Sequence, residues 1–509
     1  MSTTHLEPRS ALTPGTTLQQ RLLVPGLIFI ALVVAIISSV GAPLIPALAV
    51  ADHVSLTNAQ WSLTITLLVG AIATPTLGRL GDGPHRRQVI IGALVVVTVG
   101  GMLAALPLNF AILLIGRGLQ GAGLGLVPLA ITTARDALPA DRARSAVALL
   151  SVTTVAGVGL GYPLTGVVAE AGGIRAAFWF GAAVAAAATA VAIWLVPASS
   201  ARTADPLDWF GALLLGVAVG GLVLALSEGE SWGWTSVRMI AILAVAAVSL
   251  AVWVQWELRN AHPLVDLRLL KNRAVLTADV SAVIGGVGMY LLLATVVRFV
   301  QTPASTGYGL GESVVVAGFV LTPFSIGSFL ANRASAVVVR RASAAVVMPI
   351  GGVMLLAAMA SFAFAHSNVW ELVVTMTLAG FGVGAIFAVM PSFIMRVTPL
   401  HETGSAMSFN QVLRYVGFST GSALSSAVLE AHTTSVYPSD RGYTVAALIG
   451  CALWVLTIAV MLILPGRKGL RRSSAGVPTP DLLAEQEILE EESLAQALPD
   501  ADAPIGRRA

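Results

Sequence analysis

Apolar runs of about 20 residues, the length that crosses a bilayer as a helix, recur fourteen times along this 509-residue chain. They cover approximately 22–50, 60–80, 88–107, 109–133, 146–169, 175–196, 207–227, 237–256, 274–299, 312–332, 343–365, 370–395, 406–429 and 442–465. The expected fold class is therefore an all-α membrane protein with fourteen transmembrane helices. Composition agrees: 11% of residues are charged and 56% hydrophobic, against roughly 25% charged in a soluble protein. Such a chain cannot cover a water-facing surface, so lipid must be its main solvent. The single cysteine, Cys451, excludes a disulfide framework and a thiolate metal cluster. The first run starts too far into the chain to read as a cleaved signal peptide.

Basic residues test the helix count independently. Of 29 Lys and Arg, Arg117, Arg298 and Arg414 are counted within the runs, while Arg79, Arg175 and Arg238, at run ends, are counted with the flanking segments. With the N-terminus placed inside and sides alternating, 23 fall in inner segments and three, Arg175, Arg238 and Arg441, in outer ones. The positive-inside rule expects this bias, and a missed helix would scramble it. Both termini are expected in the cytoplasm, with the chain in the cell inner membrane.

The chain also repeats itself. Gly121-Ala-Gly123-Leu-Gly125, Pro139 and Ser145-Ala146 recur as Gly380-Phe-Gly382-Val-Gly384, Pro399 and Ser405-Ala406, offset by 259 or 260 residues. Two parallel six-helix halves around a central cavity follow. The boundaries are a disordered lead over 1–20, one half over 21–200, an inserted two-helix hairpin over 201–260, the second half over 261–466 and a cytoplasmic tail over 467–509. The tail opens with Arg467, Lys468, Arg471 and Arg472, which suit contact with anionic lipid.

Four segments carry chemistry. Arg117 lies mid-run in Leu114–Gly123, where a cation exposed to lipid is costly and should face protein or a watery cavity. The tight turn Gly78-Arg79-Leu80-Gly81-Asp82-Gly83-Pro84-His85-Arg86-Arg87 orders an acid before paired bases. Asp82 can neutralise the arginines or meet a helix N-terminus, where the dipole favours anions. That makes Gly78, Asp82, Arg86 and Arg87 candidates for a conformational latch, closing on the start of helix thirteen near Ser405. The plainer reading is a charged turn. Gly157, Gly161, Pro163 and Gly166 in helix five permit close packing and a bend, either as a gate or as ordinary packing. Asn410, Gln411 and Arg414 crowd one and a half turns of helix thirteen, suiting a cavity wall or an interhelical hydrogen-bond cluster.

Together these segments resemble the major facilitator superfamily, in its drug:proton antiporter branch with fourteen spanning helices. The likeness covers residues 20–465. Gly78–Arg87 is similar to the loop motif between helices two and three, with His85 where glycine is usual. Leu114–Gly123 is similar to the helix-four motif, supplying Arg117, Gln120 and Gly121. Gly157–Gly166 resembles the helix-five antiporter motif, with the proline one position late. The resemblance implies export of amphiphilic small molecules, of multidrug or antibiotic type, by proton antiport and alternating access. It also implies proton coupling through Arg117 and a part for Asp82 and Arg86 in the conformational cycle.

One departure bears on substrate charge. Residues 22–51 hold no acid, where drug exporters of this branch often carry an aspartate, and Ser38 and Ser39 are the only hydroxyls there. Asp279 is the main candidate membrane acid, either reaching the cavity or paired at the interface with Arg273. A cavity that is neutral to positive should favour neutral, zwitterionic or weakly acidic amphiphiles over dications. No phosphate-binding Gly-rich loop, paired histidines or acids clustered at helix ends are seen, so no cofactor, metal, nucleic acid or enzyme activity is expected. The expected partners are protons, lipid and a small amphiphilic substrate, and a monomer is expected. The rival class is a non-transporting membrane sensor or scaffold of the same fold.

Overall fold

The computed structural model describes residues 17–40, 44–54, 56–199, 206–341, 343–398, 402–433 and 437–464. The lead over 1–16 and the tail over 467–509 lie outside the described residues. The chain runs as α1 (Thr17–Ser39), α2 (Ile45–Ala51), α3 (Leu56–Asp82), α4 (Arg86–Ala105), α5 (Phe110–Gly121), α6 (Leu126–Ala137) and α7 (Ala140–Leu195). It continues as α8 (Trp209–Trp232), α9 (Val237–Arg259), α10 (Arg273–Gln301), α11 (Val314–Val320), α12 (Thr322–Arg341), α13 (Ala344–Phe364), α14 (Val369–Met395), α15 (Thr403–Ala431) and α16 (Asp440–Ile463). The described residues form no β-strand beyond an isolated bridge between Thr433 and Pro438.

Helix starts follow polar caps. Asn109, Asp208, Ser236, Asn272, Ser313 and Asn368 each accept a hydrogen bond from a backbone N–H of the turn they precede. Such a cap satisfies a donor that has no intrahelical partner. Apolar side chains then cover the outside: Val237, Ile240, Val245 and Val248 of α9 are all more than half exposed. That pattern suits contact with lipid tails.

Eleven of the described helices are long and apolar enough to cross a membrane, where fourteen runs were expected. Three features account for the difference. α1 (Thr17–Ser39) enters the count only over Arg21–Ile37, the stretch whose side chains are described without interruption. α15, with its buried Ser, Asn, Gln and Arg side chains, is not among the eleven. α7 joins two helices across a kink at Gly173, whose φ of 78° is open to glycine and strained for other residues, and contributes one apolar span, Gly161–Leu195. The first run divides as well, into α1 and the short α2, and Thr17–Gln20 belong to α1 rather than to the lead.

Packing recurs along the chain. α3 lies on α5 and α4 on α7; later, α12 lies on α14 and α13 on α16. Glycines set the approach. A Cβ at Gly121 would lie 2.4 Å from the Thr66 carbonyl oxygen, and one at Gly380 would lie 2.2 Å from that of Phe324. Only a residue without a side chain lets backbones meet so closely. Across the two sets, α7 packs on α12 and α3 on α15, while α8 packs on α3 and α9.

Candidate functional site

Arg117 is completely buried in the last turn of α5. Its Nε donates to the Ser62 carbonyl at 3.0 Å, and Nη1 donates to the Ile37 carbonyl at 3.2 Å and to Gln120 Oε1 at 2.7 Å. Its own carbonyl accepts from Thr66 Oγ1 at 3.0 Å. The residue thus ties α5 to α1 and α3 through carbonyl dipoles, and none of these partners is a carboxylate. Immediately after it, Ala122–Gly125 tighten into a 3-10 turn before α6 begins. A tightened turn inside a long helix is a frequent place for a hinge.

A second cluster joins the end of α3 to the start of α15. Asp82 Oδ1 accepts from the Gly404 N–H at 2.6 Å, and Oδ2 accepts from the Ser405 N–H at 2.9 Å and the Ser405 hydroxyl at 2.8 Å. The carboxylate therefore sits on the unsatisfied donors of a helix N-terminus, where the dipole also favours it. Gly78 and Gly404 allow the approach: a Cβ at Gly404 would lie 2.7 Å from the Gly78 carbonyl oxygen and 2.5 Å from Asp82 Oδ1. Arg86 is turned away from Asp82. Its Nε donates to the Gly81 carbonyl at 2.6 Å and its Nη1 meets Asp136 Oδ2 at 2.5 Å. Arg135 completes the contact, donating to Thr403 Oγ1 and to the Met395 and Thr398 carbonyls. Arg87 does not join it; the side chain is exposed and donates to the Ile193 carbonyl. Neither Asp136 nor Arg135 stood out in the sequence, because each reads as an ordinary charge at a helix end.

The gate candidates of helix five fall within α7. A Cβ at Gly157 would lie 2.3 Å from Ala35 Cβ of α1, and one at Gly318 of α11 would lie 3.0 Å from Pro163 N. Gly161, Pro163 and Gly166 are all buried, and Gly166 faces Val315, 3.5 Å from where its own Cβ would stand. The Gly157–Gly166 stretch of α7 therefore contacts α1 and α11 together, while the break in α7 lies further on, at Gly173.

Asp279 of α10 is buried and accepts from Asn410 Nδ2 at 2.8 Å. Asn410 is its partner where the sequence offered Arg273. Asp279 borders a narrow cleft, with a cavity volume of about 20 Å³, together with Arg79, Leu264, Val265, Ser405 and Phe409. A further buried acid, Glu257 of α9, accepts from the Val265 N–H at 3.5 Å on the linker lining that cleft. Asp208 caps α8 and also accepts from Trp256 and Asn260. Gln411 and Arg414 are buried on α15, Arg414 with its guanidinium carbon 4.7 Å from the centroid of Phe387. Beside it Tyr415 approaches Phe418, which stacks on Tyr290 at 5.1 Å. The Tyr290 phenol is hydrogen-bonded to that of Tyr162. Tyr162, Tyr290, Phe387, Tyr415 and Phe418 were missed from sequence, although tyrosine is scarce here, with six in 509 residues, and one in mid-span is a signal of its own. Among the described residues no group of three or more His, Cys, Asp or Glu side chains could hold a metal ion.

The family profile described as Major Facilitator Superfamily matches residues 27–422 and 280–498. An uncharacterized MFS-type transporter of Mycobacterium tuberculosis is 30% identical over 415 residues, 80% of this chain and 59% of that protein's length. Multidrug resistance protein 3 of Bacillus subtilis is 28% identical over 382 residues, 73% of this chain and 72% of that one. Among solved structures, the human organic anion transporter MFSD10 (TETRAN) is similar in fold, with a TM-score of 0.62 at 16% identity, over 87% of this chain and 99% of that one.

Proposed function

The chain belongs to the Major Facilitator Superfamily, and on that footing we propose that this transporter is a secondary active exporter of amphiphilic small molecules, driven by proton antiport through alternating access. The observation that carries the reading is the clasp of Asp82 on the start of α15. It is a polar contact between α3 and the start of α15, made by residues 322 and 323 positions apart. Water reaching this end of the bundle can replace every one of its hydrogen bonds. Such a contact can therefore break and re-form in each cycle at small net cost, which a gate requires and a fixed core does not.

Several features support the finer reading. Kinship to a protein named for multidrug resistance favours export of drug-like compounds. Fourteen crossings follow if α1 and α15 are counted with the eleven apolar spans and α7 crosses once on each side of Gly173. In this arrangement α8 and α9 form the inserted hairpin between two six-helix halves, and both termini and the Asp82 clasp lie at the cytoplasmic face. A closed clasp then corresponds to a cavity shut toward the cytoplasm. Arg117 holds the first half in register during coupling, and Asp279 is the carboxylate placed to exchange a proton through the cleft beside the clasp.

The test is transport in proteoliposomes with an imposed proton gradient and a panel of neutral, acidic and cationic amphiphiles. Flux that follows the gradient and collapses when protons equilibrate is the expected result. Binding without any gradient-driven flux would replace the exporter with a sensor of the same fold.

A further inference from the structure

Arg414 stands in the middle of α15 with 4% of its surface exposed. The described residues make no hydrogen bond to its guanidinium, and Nε is buried without a partner. One face of the group rests on the Phe387 ring. A cation–π contact contributes about 0.5–2 kcal/mol, whereas removing an unpaired cation from water costs several kcal/mol. The face is therefore covered, while the edge, which carries the N–H donors, lacks acceptors. A carboxylate offers two coplanar oxygens that fit this fork.

The surroundings suit an aromatic body. Phe418 lies 6.2 Å from Tyr415 and stacks on Tyr290 with 23° between the ring planes, and Tyr290 reaches Tyr162. Phe387 of α14 thus covers the cation, and from its neighbour Tyr415 a chain of rings runs through α15 and α10 to α7. Tyr162, Tyr290 and Phe418 are only partly buried, so they retain open surface to receive another ring. None of these contacts involves a carboxylate of the protein. Asp279 lies eleven residues before Tyr290 on α10, about 16 Å of helix rise away, and is already engaged by Asn410.

We infer that Arg414 anchors the head group of the transported molecule, and that the substrate class is an aromatic amphiphile bearing one carboxylate. This rests on the export reading above and narrows it. An aromatic cation would bring like charge to an unpaired guanidinium. A neutral amide would supply only one acceptor.

Equilibrium binding of radiolabelled 2-naphthoate, 2-naphthamide and 2-naphthylmethylammonium to the purified full chain tests it. The naphthoate should bind about 10-fold or more tighter than the amide, and the ammonium weakest. Arg414→Gln should bring the naphthoate down to the amide's affinity and leave the amide unchanged. Arg414→Lys should keep part of the difference, and Tyr290→Leu should weaken all three probes alike. An unchanged naphthoate-to-amide ratio in Arg414→Gln, or ammonium binding as tight as naphthoate binding, would overturn the assignment, as would no naphthoate binding at all. Should Arg414→Gln fail to fold, the ranking in the wild-type protein and the Arg414→Lys ratio decide. Gradient-driven flux in the same vesicles separates the two readings. Absent flux with intact naphthoate selectivity would sink export and keep the anchor, and the reverse result would do the opposite.

Discussion

Arg117 and Arg414 are both arginines buried in the helical bundle, and their surroundings differ completely. Arg117 spends Nε and Nη1 on the carbonyls of Ser62 and Ile37 and on Gln120, and only its Nη2 is buried without a partner. Arg414 has an aromatic ring on one face and no hydrogen bond from the described residues. Hydrogen bonds to a charged group contribute about 1.5–3 kcal/mol each, so the first cation is a fastening between helices. The second is a buried cation to which the described residues offer no hydrogen-bond acceptor. Burial alone therefore does not mark an arginine as structural or functional; what matters is how many of its donors are already satisfied.

The comparison breaks most easily at Arg117. Arg117→Lys keeps the charge but cannot reach three acceptors in two directions, so gradient-driven transport should fall nearly as far as in Arg117→Ala. Thermal unfolding in detergent should show a loss of about 2–4 kcal/mol. A lysine variant with wild-type flux and stability would show that charge, not geometry, is what the site needs.

Asp82→Asn comes next. The amide keeps the shape but turns one acceptor oxygen into a donor facing the N–H groups of α15. A loss of about 1–3 kcal/mol in the clasped state should shift the population toward the open-clasp form by roughly 5- to 150-fold. Labelling of single cysteines near the clasp should accelerate accordingly, and an unchanged rate would remove the gate role.

Arg414→Gln should affect stability least among the buried changes, and in the opposite direction. Removing an unpaired buried cation is neutral or stabilising, so the unfolding midpoint should hold or rise. A drop like that of Arg117→Lys would mean that Arg414 is a fastening too.

The smallest effect is expected at Arg87. Its neighbour Arg86 is buried against Asp136, while Arg87 is exposed. Arg87→Ala should stay within about 0.5 kcal/mol of wild type in unfolding with near-normal flux, whereas Arg86→Ala leaves Asp136 without its bridge and should lower both.

Legibility from sequence followed the range of the interaction. The order of acid and bases in Gly78–Arg87 pointed to a contact near Ser405, and the structure puts Asp82 there. Yet the same motif grouped Arg86 with Arg87, which part by about a quarter turn of helix and end in unrelated surroundings. Asp279 was visible as a membrane acid, but its partner Asn410 is 131 residues away. Arg135, Asp136 and the rings around Arg414 carried no local pattern that set them apart.

By itself the sequence determined the class of the protein, the bilayer as its solvent, and where a cation had to be hidden. Apolar run length and charge bias act between each segment and its surroundings, so no knowledge of neighbouring helices is needed to read them. Only the tertiary structure decided which buried arginine is held by three hydrogen bonds and which, among the described residues, by none. That depends on where carbonyls, rings and helix ends from distant segments come to rest, and helix packing places them, not the chain's own periodicity.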